Sequence, residues 1–540
     1  MWCIHGMGVW MKTRSVSRRL QLISSFVAIV LSSLACSQGY LSPVELTSTA
    51  VIQAQTGTTA APTTAPTQTP QQGTESPAEP FLPTFTDLPI SSSTPRPTRT
   101  PDPKATPRPP IQYYSQAGDT LPSIIGRFGV SADQIVSISE LPPSGLINPG
   151  TLIIIPDVLE DVFQSTLVLP DSEVVFSPSA VGFDISSFVE NAGGYLSGYK
   201  ETVGSRQFSG AELVERVALE NSINPYLLLA LLEYKSGWVY GNPTNFAEAE
   251  YPMGMIRLEY RGLYKQISWT MQQLNIGYYG WRAGTLSQLP FKDGSIVRIS
   301  PGLNAGSAAI QYLFARWYDP LEWAGALYGE NSMPELMKSM FGDFWLRSQS
   351  VEPLYPADLQ QPDFQLPFLP GRIWSLTGGP HSAWAEDGAL AAVDFAPPSS
   401  ETGCVKSNEW VTAMASGVIA RSGEGAVILD LDGDGIEQTG WDIMYLHIET
   451  RDRIPVGTLV EQGDKIGHPS CEGGTSTGTH VHIARKFNGE WILADGPLPF
   501  MMSGYVAVNG DAPYKGQLVN GDHKVIADSM AAPKSNIQLP

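Results

Sequence analysis

The chain has 540 residues, more than one hydrophobic core can organise, so two to four domains are expected. Its 33 basic residues stand against 53 acidic ones, a formal net charge of −20. That balance argues against a nucleic-acid partner, which requires clustered Lys and Arg. At the N-terminus, Arg14, Arg18 and Arg19 precede an apolar run from Leu20 to Ala35 that is short for a membrane span. Residues 1–36 therefore read as an export signal. The run ends Leu34-Ala35-Cys36, which makes Cys36 a candidate for lipidation, with ordinary cleavage and a retained anchor as the alternatives. Each alternative places the remainder outside the cytoplasm and limits membrane association to a signal or lipid anchor. Residues 37–110 are rich in Thr, Pro, Gln and Ser, cannot bury enough apolar surface to fold, and read as an extended stalk.

Residues 111–157 are densely patterned. Tyr113 is followed by Gly118-Asp119-Thr120-Leu121, Ile124-Ile125, Phe128-Gly129-Val130, Pro149-Gly150 and the apolar run from Leu152. The pattern predicts a strand, a helix capped by Asp119 or Thr120, a turn, a second helix and a closing strand. This order resembles the LysM module, a small α+β domain of βααβ type that binds N-acetylglucosamine-containing glycans such as peptidoglycan. Leu141-Pro142-Pro143-Ser144 stands where that family often carries Asn.

Residues 181–350 show apolar residues at helical spacing over Gly210–Glu220, Pro225–Trp238 and Ala308–Trp317. Six tryptophans fall here, and filling a core is the expected role of most of them. The segments Ile223-Asn224-Pro225-Tyr226, Ser236-Gly237-Trp238 and Asn304-Ala305-Gly306 resemble lytic transglycosylases and goose-type lysozymes. Those enzymes place a general-acid Glu immediately before the Ser, whereas this chain has Lys235. Glu233 lies two residues away, about 200° around a helix. The expectation is an α-helical, lysozyme-like domain that has lost catalysis and keeps a glycan groove, with Glu220 or Glu233 open as a relocated acid.

From residue 366 to 530 short alternating strands broken by glycines predict an all-β domain. His480 and His482 flank Val481, so on a strand both imidazoles project from one face. His447 ends the strand Met444-Tyr445-Leu446, His381 follows Gly378-Gly379-Pro380, and Asp394 sits in Val393-Asp394-Phe395. A catalytic zinc takes about three N/O ligands and leaves one position open. The region resembles the lysostaphin/LytM-type zinc metallopeptidases. The first ligand His of most members lies four residues before the Asp, at Leu390 here. The β-lytic and staphylolytic branch instead uses Gly-Gly-Pro-His thirteen residues before it, which His381 matches. The resemblance implies His381, Asp394 and His482 as ligands of one zinc ion. It implies His447 and His480 as the groups that polarise water and stabilise the tetrahedral oxyanion.

Cys404 and Cys471 remain as a pair inside this domain and suit one disulfide in an oxidising compartment, the alternative being two separate buried thiols. An internal disulfide is also a feature of the β-lytic branch. His468, in a loop beside Cys471, is expected to be solvated. Asp430-Leu431-Asp432-Gly433-Asp434-Gly435 spaces three carboxylates like the first half of a calcium loop, but position twelve is Trp441. A glycine-rich hairpin turn explains the same residues, so calcium stands second to it. The chain as a whole reads as multidomain and as an exported hydrolase of peptidoglycan, with glycan bound by LysM and peptide cut at zinc. The alternative is a non-catalytic wall-binding scaffold, which Leu390 and Lys235 keep open.

Overall fold

The computed structural model describes residues 108–159, 162, 165–356 and 358–539. The expected export signal with Cys36, and all but the last three residues of the expected stalk, lie outside these. Among the described residues no helix is long and apolar enough to cross a membrane.

Strands β1 (Ile111–Tyr114), β2 (Val136–Ser137) and β3 (Leu152–Ile155) form a small sheet in the order β1-β3-β2, packed on the helix Leu121–Phe128. That helix starts where the Thr120 hydroxyl accepts from the Ser123 amide, and it ends at Gly129, whose φ of +66° is open to glycine. Tyr113, Ile124, Phe128, Ile147, Ile153 and Ile155 make its core. The expected second helix is instead a single 3₁₀ turn, Ala132–Gln134, followed by β2. The β-branched Val136 favours the pleated edge, and Pro142-Pro143 forbids helix beyond it.

Helices occupy most of residues 185–348, with two hairpins between them: β4 (Lys200–Val203) with β5 (Arg206–Ser209), and β6 (Gln288–Pro290) with β7 (Ile296–Arg298). The helix Pro225–Ser236 is buried along Leu227 to Leu232, and the longest helix, Leu263–Arg282, crosses the centre. Trp238, Trp281 and Trp323 are fully buried, so the core role expected of the indoles holds for them. Glu233 is committed to its own helix end, accepting from the amides of Val239 at 2.8 Å and Tyr240 at 3.1 Å. Glu220 is buried against Arg216 at 2.7 Å and the Tyr264 hydroxyl at 2.9 Å. Lys235 is pushed down to about 8 by burial and bonds the Tyr318 hydroxyl at 3.2 Å.

The remaining chain is β-structure without an α-helix among the described residues. Its strands are β8 (Ile373–His381), β9 (Ala392–Ala396), β10 (Val411–Thr412), β11 (Gly417–Gly423), β12 (Ala426–Asp430), β13 (Trp441–Leu446), β14 (Leu459–Val460) and β15 (Lys465–Gly467). There follow β16 (Val481–Phe487), β17 (Glu490–Trp491), β18 (Met501–Met502), β19 (Tyr505–Asn509), β20 (Gly516–Asn520), β21 (His523–Ile526) and β22 (Asn536–Gln538). The main sheet runs β14-β11-β12-β13-β16-β9-β8-β22, with β17 also on β16. Because β22 closes the edge beside β8, the domain extends past the expected boundary at 530.

Alternation divides this sheet into two faces. Val393, Phe395, Val427, Leu429, Ile443, Tyr445, Val481 and Ile483 form the domain's own core. Ala392, Ile428, Met444, Leu446 and Ala484, on the opposite face, belong to the same apolar cluster as the helices. The helical layer therefore packs against the face that also carries Asp394 and His482. At the junction Arg282 binds Asp171 at 2.9 Å, Glu490 at 2.9 Å and the Ala117 carbonyl, drawing all three regions together.

Candidate metal centre

Three neighbouring strands bring the expected ligands together. His482 on β16 lies directly opposite Asp394 on β9, and Gly378 on β8 faces Asp394 from the other side. A Cβ at position 378 would come within 2.5 Å of Asp394 Oδ2, so the glycine leaves the space that the carboxylate fills. Register shifts in β8 on either side of Gly378 then carry His381 to the same spot.

The donor atoms converge. His381 Nε2 lies 2.9 Å from His482 Nδ1 and 3.3 Å from Asp394 Oδ1, and His482 Nδ1 lies 3.1 Å from that same oxygen. A tetrahedral ion with bonds of ~2.0–2.1 Å separates its ligand atoms by about 3.3 Å, so the triangle fits a small divalent ion with N/O ligands. The outward nitrogens agree. His381 Nδ1 donates to the Gly379 carbonyl at 2.8 Å, and His482 Nε2 to the Ala383 carbonyl at 3.0 Å. Each ring thus keeps its proton on the far side and turns a lone pair inward.

His447 and His480 complete the group under the same rule. Their Nδ1 atoms bond the carbonyls of Glu472 at 2.8 Å and Gly478 at 2.7 Å, which directs both Nε2 atoms inward. The two rings lie 4.5 Å apart, and His480 Nε2 is 3.7 Å from Asp394 Oδ1. His447 leaves β13 with φ +66°, a left-handed conformation rare outside glycine and met at functional sites. The segment after Pro469 holds both rings. Ser470 donates through its amide and its hydroxyl to the His447 carbonyl at 2.7 and 2.9 Å, and the His480 amide donates to the Ser470 carbonyl at 3.3 Å. A disulfide between Cys404 and Cys471 ties this segment to the loop after β9.

Burial dominates the electrostatics. It lowers His447 to about 3, with help from His480 and His482, and it lowers His482 as well. Burial pulls His381 the same way, but Asp394 outweighs it and raises the ring. Burial alone would raise Asp394, yet the surrounding imidazoles hold its carboxyl well below the usual range.

Sequence reasoning missed Tyr514, whose ring stacks on His381 at 4.0 Å between centroids with 22° between planes. It sits with φ +67° in the turn between β19 and β20, and its amide donates to the Pro380 carbonyl at 3.2 Å. Its place, 133 positions from His381 in the chain, carries no periodic signal. His468 corrects an expectation: it is buried rather than solvated, with Nδ1 on the Glu409 carbonyl at 2.7 Å and its ring on Trp410 at 3.9 Å. It is a structural ring outside the metal group.

Comparison with known proteins agrees with this geometry. Residues 167–354 match the family described as LasA, N-terminal domain, and residues 116–156 match the LysM domain. Protease LasA from two strains of Pseudomonas aeruginosa is 28% and 27% identical over 300 residues, covering 53% of this chain and 68% of each relative. Among solved structures, the M23 metalloprotease pseudoalterin from the deep sea is 23% identical, covering 31% of this chain and 96% of its own, with a TM-score of 0.27. The catalytic domain of lysostaphin from Staphylococcus simulans is 26% identical, covering 21% and 80% respectively, with a TM-score of 0.16. The helical layer, expected to be lysozyme-like, thus matches the LasA N-terminal domain instead. Residues 116–156 match the LysM domain, and the sequence relationship to Protease LasA together with the ligand triangle supports a LytM-type peptidase that carries a LysM domain.

Proposed function

We propose that this protein is an exported peptidoglycan hydrolase whose C-terminal domain is a zinc endopeptidase. Its substrates are the stem or cross-bridge peptides of the wall, and the LysM domain holds the glycan. The observation that carries the reading is the convergence of His381, Asp394 and His482 within 3.3 Å, with both rings anchored outward on backbone carbonyls. Zinc bound there would supply Lewis acidity toward the attacking water and the scissile carbonyl.

The chain's own residues supply the remainder. His447 and His480, with Nε2 lone pairs facing inward, accept the proton that the water gives up as it attacks. As the C–N bond breaks, one of them returns that proton to the leaving amine. The protonated ring donates a hydrogen bond to the oxygen that gains charge in the tetrahedral state. Burial of His381, His447 and His482, with His480 half-buried at the rim, limits bulk water and strengthens each of these interactions. The disulfide, the export reading of residues 1–36 and the LysM domain agree on action outside the cytoplasm.

The test is zinc content and digestion of purified peptidoglycan by the full chain, beside His482→Ala. About one zinc per chain, with new peptide termini that the variant does not produce, is expected. A wild-type chain that binds no zinc and releases no termini would move the protein to the wall-binding scaffold class.

A further inference from the structure

A second group of acidic side chains lies at the opposite end of β13 from His447. Asp430 ends β12, and Asp432 and Asp434 follow in the turn. Each offers a carboxylate oxygen, and the three atoms lie within 4.8 Å of one another. The turn is tight, with Gly433 at φ +85° and Gly435 at φ +79°. Acidic clusters in turns are common, and hydrogen bonds from the Asp432, Gly433 and Gly435 amides to Asp430 would hold this one without any ion.

Asp442 is what such a turn does not explain. It is fully buried, and neither of its carboxylate oxygens has a hydrogen-bond partner. A buried carboxylate without partners is costly, and burial with the neighbouring carboxylates pushes Asp442 well above the usual range, so the position calls for a proton or a cation. Asp442 is paired directly opposite Asp430 across β12 and β13, so the two side chains project from one face about 5 Å apart. Its other neighbour in register is Lys486, whose ammonium is already bonded to Glu437 at 2.8 Å. Glu437 in turn binds Arg421. Five carboxylates therefore meet two cations here, and the excess lies on the Asp430–Asp442 side.

We propose that Asp430, Asp432 and Asp434, backed by Asp442, form a calcium site that pins the β12–β13 turn. The donors are all oxygen, which selects a hard divalent ion over the softer metals that imidazole attracts. The carboxylate spacing is that of positions one, three and five of a calcium loop, with Gly435 at position six. Trp441 at position twelve supplies no ligand, and Asp442, one residue later, stands behind the three converging donors rather than among them. Asp432 and Asp434 are exposed, which gives the ion an entry path and room for water in its shell. The site is separate from the His/Asp/His group but not mechanically independent of it. The strand it anchors, β13, runs into His447 and pairs with β16, which bears His482. Over five residues that distance is about 17 Å.

The test uses terbium as a luminescent stand-in for calcium, added to the full-length protein after calcium has been stripped on a chelating resin. Trp441, between the turn and Asp442, is placed to sensitise the emission. Sensitised emission that saturates near one terbium per chain is expected, displaced by millimolar calcium and unchanged in His482→Ala. Asp432→Asn and Asp434→Asn keep the side-chain oxygens that accept from the turn amides while removing charge. Each should weaken terbium binding by about tenfold or more and abolish a calcium-dependent rise in Tm of about 5 °C. Emission lost in His482→Ala but kept in Asp432→Asn would assign the binding elsewhere and overturn the proposal. A wild-type protein with neither emission nor a calcium-dependent Tm would overturn it too, whether or not the variants fold.

Discussion

Replacing both Cys404 and Cys471 by Ser would separate the residues proposed to hold a metal from those proposed to transfer protons. The disulfide closes a loop across a sequence separation of 67. Constraint of the unfolded chain by a loop of that length is worth about 4 kcal/mol at 25 °C. The double variant should therefore lose about that much stability in urea, with a steeper transition because the unbridged unfolded chain exposes more surface. The functional effect should be narrower. His381, Asp394 and His482 ride on β8, β9 and β16, whose pairing does not depend on the bridge. His447 and His480 are held by Ser470, Glu472 and Gly478, in the segment that Cys471 anchors. Metal content should therefore survive while kcat on a peptide substrate falls by about tenfold, the scale on which supporting contacts affect a metal site. KM should change less than kcat. Equilibrium dialysis for the metal, urea titration followed by tryptophan fluorescence, and steady-state kinetics at one temperature measure the three effects. If metal and activity disappear together in a variant that remains folded, the division of labour drawn here is wrong. If stability drops and kcat does not, Cys471 has no part in placing the two rings.

Two further outcomes follow from single contacts. Gly378→Ala would set a methyl group 2.5 Å from Asp394 Oδ2, so it should lower metal affinity by about ten- to a hundredfold in a competition titration while leaving secondary structure intact; unchanged affinity would mean that Asp394 is free to move. Glu437 is held down to about 2 because Arg421 and Lys486 together outweigh the opposing effect of its burial. Its folded value lies below the ordinary one, so its contribution of about 3 kcal/mol is complete above roughly pH 4.5 and disappears as the pH falls toward 2. Acid titration of stability should be flatter over that window in Glu437→Gln than in the wild type. Parallel curves would place the acid sensitivity on other groups.

The clustering of the candidate ligands was legible in part because a strand turns period into place. His480 and His482 share a face by alternation, and Asp394 sits at the centre of an apolar strand that can only be buried. The backbone carbonyls that set the tautomers were not legible, since Gly379, Ala383, Glu472 and Gly478 contribute through main-chain atoms whose positions depend on the fold. Tyr514 escaped for a related reason: it reaches His381 from a hairpin far along the chain, and a tyrosine in a turn has no distinguishing pattern. His468 was misjudged because proximity to a cysteine in a glycine-rich loop suggests exposure, whereas Trp410 and the Glu409 carbonyl enclose it. In the LysM region the expected second helix gave way to the β-branched Val136 and two prolines, and the local stereochemistry prevailed. In the helical layer the substitution of Lys235 for the expected acid was readable, and the structure adds that Glu233 is spent on two amides.

Arg282 has a consequence for the pattern of products. Its guanidinium joins the LysM carbonyl of Ala117 to Glu490 beside β16, so the part proposed to grip the sugar strand and the part proposed to cut are not two bodies on a string. An enzyme whose grip swings freely samples every bond within reach and leaves a broad distribution of fragment sizes. One whose grip is clamped to its blade measures: each cut falls at a set offset from where the strand is held. Under the proposed function the spacing between cuts would then be a property of the protein, written into the wall it works on, rather than a matter of chance.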